Sequence, residues 1–258
     1  MCSVVGYIGH RQSCTIVVEG LQRLEYRGYD SSGFACIDQD TKKLSCVKAT
    51  GRLENLIQRL QEKPLKGIVG VGHTRWSTHG VASEANAHPH FGCQGFISIV
   101  HNGIIENFAE LKQELEAEGH VFRSETDSEV IAHLFEQLYT SIKKYDQALF
   151  QLARRLQGAF AVVIMMQEHP DVLLALRKNS PLCIGVGKEE MFIASDILAF
   201  AGRTNDVLFL PDSTSAIITA QEAQVYNFFG DLQYVATQHV DTTWLSSGKQ
   251  GDTKYDDQ

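Results

Sequence analysis

The sequence predicts one α+β domain in which two β-sheets pack face to face with helices on the outside. Its 258 residues, 43% of them apolar, suffice for one large domain or two small ones. No stretch rich in proline, glycine and serine divides the chain before residue 240, which favours a single domain. The predicted helices are grouped between two sets of predicted strands, as this layered arrangement requires.

Apolar periodicity predicts the elements of the first half. A run over residues 3–8 indicates a buried strand at the start of the chain. The elements that follow are a helix carrying Ile16, Val17, Leu21 and Leu24, strands over 32–37 and 44–49, a short helix carrying Leu53, Ile57 and Leu60, and strands over 67–72 and 96–100.

The second half contains three predicted helices and then mostly strands. Thr126 and Glu129 have capping-box spacing before the second of these helices. From about Asp241 the pattern becomes polar, which predicts a domain over 2–240 and a tail or the start of a linker over 241–258. The helices carry Phe108, Leu111 and Leu115, then Val130, Ile131, Leu134 and Leu138, then Leu149, Leu152 and Leu156; the strands cover 160–165, 172–176, 182–186, 191–194, 207–210, 216–219 and 224–228.

Composition excludes several classes of function. The formal charge of −8, without a run of lysine or arginine, argues against a nucleic-acid or anionic-membrane surface. The longest apolar stretch, 159–166, is far shorter than a membrane span, and no signal peptide precedes it. Six cysteines without a CxxC pair indicate reduced thiols in a cytoplasmic protein.

Cys2 is the most informative single residue, because removal of Met1 would make it the N-terminal residue. An α-amine has a reference pKa of about 7.7–8.0, so part of it is neutral near pH 7 and can act as general base for the thiol of the same residue. A cysteine can also occur at position 2 by chance, without any function. The prediction of a nucleophile therefore depends on the other polar residues.

Polar clusters follow the predicted strands over 67–72 and 96–100, and each residue in them has an alternative interpretation. Arg75 is compatible with a surface ion pair, Asn102-Gly103 with a simple turn, and Asp127 with a helix N-terminus. Two related alternatives are weak: His88, His90 and Cys93 match no closed metal-ligand spacing, and the glycines over 67–72 do not form a nucleotide-binding motif.

Together these residues contain what amide hydrolysis needs. A thiol carries its own base, Asn102 and the Gly103 N–H can donate to an oxyanion, Arg75 can hold a carboxylate and Asp127 can hold an ammonium. The substrate that fits is an amino-acid amide. This chemistry alone leaves glutamine and asparagine open.

At these residues the chain resembles the glutaminase domains of glutamine–fructose-6-phosphate aminotransferases, which are class II glutamine amidotransferases of the N-terminal-nucleophile hydrolase superfamily. The resemblance covers about residues 2–240 and separates the chain from phosphoribosyl-pyrophosphate amidotransferases and asparagine synthetases. The matching segments are 24–31 (LEYRGYDS), 74–80 (TRWSTHG), 86–90 (NAHPH), 101–107 (HNGIIEN), 124–130 (SETDSEV), 180–182 (SPL) and 193–196 (IASD).

The resemblance implies a four-layer αββα sandwich and a role for each site residue. It implies Cys2 as nucleophile and glutamine as the amide; no cofactor and no metal ion are expected. The remaining roles are Asn102 and Gly103 as oxyanion hole, Arg75 and His79 at the α-carboxylate, Asp127 with the Gly103 carbonyl at the α-ammonium, Trp76 and Thr78 in a loop that closes over glutamine, and Arg27 and His88 in support of the nucleophile.

The resemblance also implies a larger, homo-oligomeric enzyme in which ammonia passes to a sugar isomerase part that converts fructose 6-phosphate to glucosamine 6-phosphate. That part has no counterpart here. One departure is Ser3, where the family has glycine after the nucleophile. Two alternatives stay open: an amidotransferase domain for another acceptor, and a non-catalytic glutamine-binding regulatory module that retains Met1.

Overall fold

Two antiparallel sheets form the centre of the fold in the computed structural model, which describes residues 2–76 and 81–241. Within these residues one sheet has eight strands and the other seven. The strands are β1 (Ser3–Ile8), β2 (Ser31–Ile37), β3 (Leu44–Thr50), β4 (Val69–Arg75), β5 (His90–Phe91), β6 (Ile97–Ile105), β7 (Gly158–Met166), β8 (His169–Lys178), β9 (Cys183–Val186), β10 (Met191–Ala194), β11 (Asp206–Phe209), β12 (Thr214–Ile218), β13 (Ala223–Asn227), β14 (Leu232–Gln233) and β15 (Gln238–His239).

Five α-helices cover the outer faces of these sheets in the described part of the chain. Helices α1 and α2 pack on the eight-stranded sheet, and α3, α4 and α5 pack on the seven-stranded sheet. Their bounds are α1 (Ser13–Arg23), α2 (Leu53–Glu62), α3 (Phe108–Ala117), α4 (Glu129–Ile142) and α5 (Tyr145–Arg155).

Three buried apolar clusters separate four layers. One cluster lies between the sheets and contains Val4 and Val100, and the other two lie between each sheet and its helices. The order helix, sheet, sheet, helix confirms the predicted αββα sandwich. The burial of both faces of β1 explains why its sequence is a continuous apolar run rather than an alternating one.

The strand β1 occupies the middle of the eight-stranded sheet, whose order is β15-β11-β9-β10-β1-β4-β2-β3. It pairs with β10 on one side and β4 on the other. Cys2 immediately precedes β1, so it lies at the beginning of a central strand rather than at the sheet margin.

Strands β4 and β6 continue beyond their predicted ends into the polar segments that follow them. Strand β4 continues to Arg75, and β6 continues through Asn102 and Gly103 to Ile105. The polar residues therefore belong to the strands themselves, and Asn102-Gly103 is not a simple turn. Alternation of side chains then decides where each one points. Because Val100 faces the other sheet, Asn102 does too, whereas His101 faces the helices.

The predicted capping box at the start of α4 is wrong in its details. Ser128 precedes the helix without a side-chain capping bond, and the Glu129 carboxylate accepts from the N–H groups of Arg123 and Ser124. Glu129 therefore binds the backbone of the connection before the helix and does not form the predicted capping box with Thr126.

The end of the chain is described only to residue 241, so the predicted tail beyond Asp241 lies outside the described residues. Strand β15 pairs with β11 just before that point. Among the described helices, none combines the length and apolar character needed to cross a membrane. All six cysteines are free thiols.

Candidate active site

Cys2 contacts the end of β4 through its thiol. The backbone N–H of Trp76 donates to Cys2 Sγ at 3.2 Å, and Sγ lies 3.5 Å from the Trp76 carbonyl oxygen. Burial raises the pKa of this thiol, while the Trp76 N–H and the nearby Arg75 charge partly oppose that rise. A thiol of raised pKa is protonated near neutral pH, so it needs a base before it can act as a nucleophile.

The side chain of Asn102 is held in one orientation between the sheets. Its Nδ2 donates to the Cys2 carbonyl oxygen at 3.1 Å, which can only accept, so Oδ1 faces the other way. There Oδ1 lies 2.9 Å from Nε2 of His73, which must donate. The amide therefore presents N–H groups on the Cys2 side, and one of them is left for a second acceptor.

Gly103 follows Asn102 and is open to solvent. Its φ is 128°, a conformation that residues with a side chain rarely adopt. A Cβ atom at this position would lie 2.0 Å from the Ala159 carbonyl oxygen of the neighbouring strand. The absence of a side chain therefore lets β6 pair closely with β7 while leaving the Gly103 backbone exposed at the site.

Arg75 is buried rather than at the surface, so it is not a surface ion pair. It is 4% exposed, and its Nη1 lies 3.7 Å from an Asp30 carboxylate oxygen and 3.4 Å from the Val81 carbonyl oxygen. Ser31 donates to the same Asp30 oxygen at 2.8 Å. The guanidinium is thus positioned by several groups at the pocket edge, with planar geometry suited to a carboxylate.

Asp127 is also buried, and its hydrogen bonds do not serve the helix N-terminus. Its Oδ2 accepts from the Ile105 N–H at 2.7 Å. Its Oδ1 accepts from Ser128 Oγ at 3.4 Å, and that hydroxyl lies 2.8 Å from Nδ1 of His101. These contacts connect Asp127 to both ends of the polar segment of β6.

A group of buried imidazoles borders the site. Burial lowers the pKa of His73 to about 3 and that of His101 to about 4, and it holds the pKa of His88 and His90 well below the usual value. The rings of His73 and His88 have centroids 4.1 Å apart. All four rings are therefore neutral at pH 7, and they orient their neighbours through hydrogen bonds and packing rather than through charge.

Most of the predicted site residues line one small pocket. The part of the chain that the structure describes brings Asn102 to the Cys2 backbone beside this pocket. The pocket is lined by Cys2, Arg75, Trp76, His88, His101, Gly103, Thr126, Asp127 and Ser128.

Three predicted residues lie elsewhere or outside the description. Arg27 donates to Asp196 at 2.7 Å and to Ser195 Oγ at 3.3 Å, and Ser195 in turn binds the backbone of Val4. It supports the beginning of β1 instead of lining the pocket. Thr78 and His79 lie outside the described residues. Trp76 is half exposed, with its ring packed over Gly28.

Ser3 faces away from the reacting side of the sheet. It pairs with Thr74, and alternation along β1 puts it on the helix face with Val5, opposite Val4. The Oγ of Ser3 is fully buried without a hydrogen-bond partner among the described residues. The serine in place of the family's glycine therefore does not intrude on the space between the sheets.

His73, His101 and Ser128 were not predicted as parts of the site. They lie within two positions of Arg75, Asn102 and Asp127 in the sequence. The signal that could have found them is alternation along the strands, since it places His73 on the same face as Arg75.

The fold and the site define a class II glutamine amidotransferase domain of the N-terminal-nucleophile type: a sandwich of two sheets with a cysteine before the central strand. A family model described as "Glutamine amidotransferase domain" matches residues 73–202, and the chain belongs to this family.

Relatives and solved structures agree with this assignment. The chain is 50% identical over 219 residues to the glutamine–fructose-6-phosphate aminotransferase [isomerizing] of Thermococcus kodakarensis, covering 85% of this chain and 36% of the relative. It is 44% identical over 246 residues to the enzyme of the same name from Clostridium tetani, covering 95% and 39%. A glutamine phosphoribosylpyrophosphate amidotransferase from B. subtilis aligns with a TM-score of 0.76 at 27% identity, covering 88% of this chain and 49% of that one.

The chain spans little more than a third of the length of these curated relatives. Its sequence identity to these relatives, 44–50%, is higher than its 27% identity to the phosphoribosylpyrophosphate enzyme, as the sequence motifs predict.

Proposed function

We propose that this domain hydrolyses L-glutamine to L-glutamate and ammonia, with Cys2 as the nucleophile once Met1 has been removed. The observation that carries the proposal is the shared pocket of Cys2, Arg75, Gly103 and Asp127, with the Asn102 amide fixed beside it. It combines a nucleophile, oxyanion donors and one group for each charge of an α-amino acid.

The reaction begins with proton transfer. The α-amine of Cys2 takes the thiol proton, and the thiolate attacks the side-chain amide carbon of glutamine. The second N–H of Asn102 Nδ2 and the Gly103 N–H stabilise the oxyanion of the tetrahedral intermediate. The amine then returns its proton to the leaving nitrogen, which departs as ammonia and leaves a γ-glutamyl thioester. Water attacks this thioester, releasing glutamate and the thiol.

Two buried charges select the substrate. Arg75, together with His79, binds the α-carboxylate, and Asp127, together with the Gly103 carbonyl, binds the α-ammonium. Trp76 and Thr78 belong to the loop that closes over bound glutamine. Arg27 supports the strand that carries the nucleophile, and His88 lines the pocket with its ring packed against His73.

The ammonia is destined for fructose 6-phosphate. This assignment is supported by the names of the relatives at 44–50% identity and by the fact that the chain covers only 36–39% of their length. We infer that a sugar isomerase part, within a longer homo-oligomeric enzyme, completes the conversion to glucosamine 6-phosphate. We place the enzyme in the cytoplasm, because a reducing compartment preserves a terminal thiol nucleophile.

The test compares the protein lacking Met1 with the Cys2→Ala variant and with protein that retains Met1. Glutamate and ammonia production from glutamine should be abolished by Cys2→Ala and nearly abolished by retained Met1, since acylation removes the basicity of the amine. Asparagine should be a poor substrate. If Cys2→Ala hydrolysed glutamine as fast as the parent protein, Cys2 would be excluded as the nucleophile. If this chain alone formed glucosamine 6-phosphate, the assignment of that step to a separate isomerase part would be excluded.

A further inference from the structure

A second cluster of metal-binding side chains lies outside the pocket around Cys2. It comprises Cys93, His120, His133 and Glu136, and one donor atom from each lies within 4.8 Å of the others. None of the four lines the pocket around Cys2. The sequence predicted no metal, because the spacing from His88 and His90 to Cys93 matches no closed tetrahedral ligand pattern.

Three distant segments deliver these residues to one point. Cys93 lies in the turn between β5 and β6, His120 in the connection between α3 and α4, and the other two on α4. His133 and Glu136 are three residues apart in that helix, so they lie on the same face. Sequence spacing therefore could not reveal the cluster.

The distances between donor atoms match tetrahedral coordination. Cys93 Sγ lies 3.6 Å from His120 Nδ1 and 3.4 Å from His133 Nδ1, and the two Nδ1 atoms are 3.1 Å apart. Ligands at ordinary Zn–S and Zn–N bond lengths on a tetrahedron are separated by about 3.6 Å for S to N and about 3.3 Å for N to N. The three atoms thus agree with three corners of a zinc tetrahedron.

Neighbouring groups orient these ligands as the surroundings of a metal usually do. Nε2 of His133 lies 3.4 Å from a Glu129 carboxylate oxygen, which leaves Nδ1 for the ion. The Val121 N–H lies 3.4 Å from Cys93 Sγ, a contact suited to a thiolate. Both Glu136 carboxylate oxygens accept N–H groups from the turn that carries Cys93.

We propose that Cys93, His120 and His133 bind a Zn²⁺ ion, with Glu136 as the fourth ligand. Sulfur and imidazole donors in a tetrahedral arrangement favour zinc over the hard cations magnesium and calcium. The ion joins the turn after β5, the connection after α3 and helix α4. That connection leads to Asp127, so the metal fixes the segment that brings this carboxylate to the pocket.

The experiment measures metal binding and does not depend on glutaminase activity. The untagged 258-residue chain is used with Cys2→Ala, because the Cys2 thiol next to a free α-amine could bind the metal ion itself. It is stripped with a chelator and titrated with Co²⁺ in the presence of a phosphine reductant. We expect one Co²⁺ ion per chain, with a thiolate-to-cobalt charge-transfer band and the intense d–d bands of tetrahedral coordination. Zn²⁺ should displace Co²⁺ and raise the melting temperature.

Variants identify the ligands. Adding Cys93→Ser should remove the charge-transfer band, and adding His120→Ala should weaken binding more than about 100-fold, since even outer-shell losses cost about 10–100-fold. Both residues are at least partly exposed, so the variants should fold. Cys14→Ser and His10→Ala are matched controls that should bind as the parent does. Absence of Co²⁺ binding, or unchanged binding in Cys93→Ser, would show a merely hydrogen-bonded cluster and overturn the proposal.

Discussion

Nε2 of His73 lies 2.9 Å from Oδ1 of Asn102, and this contact turns the Asn102 amide nitrogen toward Cys2. The histidine has no place in the chemistry itself. It is a positioning residue, and its neutral ring is guaranteed by burial, which lowers its pKa to about 3.

Replacing His73 by alanine should lower kcat with little change in KM, because the Asn102 amide loses its orientation. The loss should approach the ~100- to 1000-fold that follows removal of an oxyanion donor. The measurement is a double-mutant cycle, in which kcat is compared among the parent, His73→Ala, Asn102→Ala and the double variant. The double variant should be no worse than Asn102→Ala alone, since both changes remove the same interaction. Independent, multiplying losses would show that His73 acts by another route.

Gly103→Ala should destabilise the fold as well as impair catalysis. The new Cβ would lie 2.0 Å from the Ala159 carbonyl oxygen. The matched control is Gly119→Ala, where φ is also positive but no atom lies within 4 Å. Urea unfolding should show that Gly103→Ala costs about 1–3 kcal/mol more than the control, the usual penalty of overpacking. Equal losses of unfolding free energy in the two variants would mean that the positive φ of Gly103, and not the contact with Ala159, determines its cost.

Ser3→Gly should leave kcat and KM nearly unchanged, because Ser3 faces the helix layer and not the pocket. The free energy of unfolding should fall by about 0.5–1 kcal/mol, as for glycine inside a strand. Ser3→Ala serves as the control, with the same activity and no such loss. A marked gain in kcat for Ser3→Gly alone would show that the serine obstructs the nucleophile after all.

Arg75→Ala should chiefly raise KM for glutamine, since a carboxylate clamp contacts ground state and transition state alike. Arg75→Lys should recover only part of the affinity, because an ammonium cannot bind a carboxylate bidentately. Arg11→Ala is the control: Arg11 pairs with Glu190 at 2.8 Å and is not among the residues lining the pocket. An unchanged KM in Arg75→Ala would remove this residue from the substrate site.

Stability should fall as the pH drops from about 6.5 toward 4. In this window His73, His88 and His101 become protonated in the unfolded chain. In the folded state burial lowers the pKa of His73 to about 3 and that of His101 to about 4, and it holds the pKa of His88 well below the usual value. The unfolded state then binds more protons, so the free energy of unfolding decreases with falling pH.

Each such histidine contributes up to about 1.4 kcal/mol per pH unit. Urea unfolding between pH 7 and 5 measures the slope. His101→Asn should reduce the slope, and His10→Gln, which changes an exposed ring, should not. A slope unchanged by His101→Asn would contradict the assignment of His101.

The sequence was sufficient for the layered fold and for most of the pocket. The continuous apolar run of β1 and the helical periodicity of α1 depend on local patterns, and the structure confirms both elements. Arg75 and Asn102 were found because their types and order suit amide hydrolysis. They were expected after the strands, whereas β4 and β6 continue through them, because burial between the sheets extends the strands into the polar segments.

Other features depend on contacts between distant residues and could not be predicted. The hydrogen bond from His73 to Asn102 joins residues 29 positions apart. The cluster around Cys93 unites three segments of the chain, none of which has a ligand pattern of its own. In the same way, only the packing of Val4 between the sheets and of Val5 against the helices showed on which face of the sheet Ser3 lies.

The most direct test of the account is the intact mass of the protein before and after reaction with 6-diazo-5-oxo-L-norleucine, a glutamine-like electrophile. Protein processed by methionine aminopeptidase should lack Met1 and gain one adduct, located on Cys2 by peptide mapping, and glutaminase activity should disappear in step with labelling. Folded, processed protein that takes no adduct on Cys2 and hydrolyses no glutamine would contradict the account.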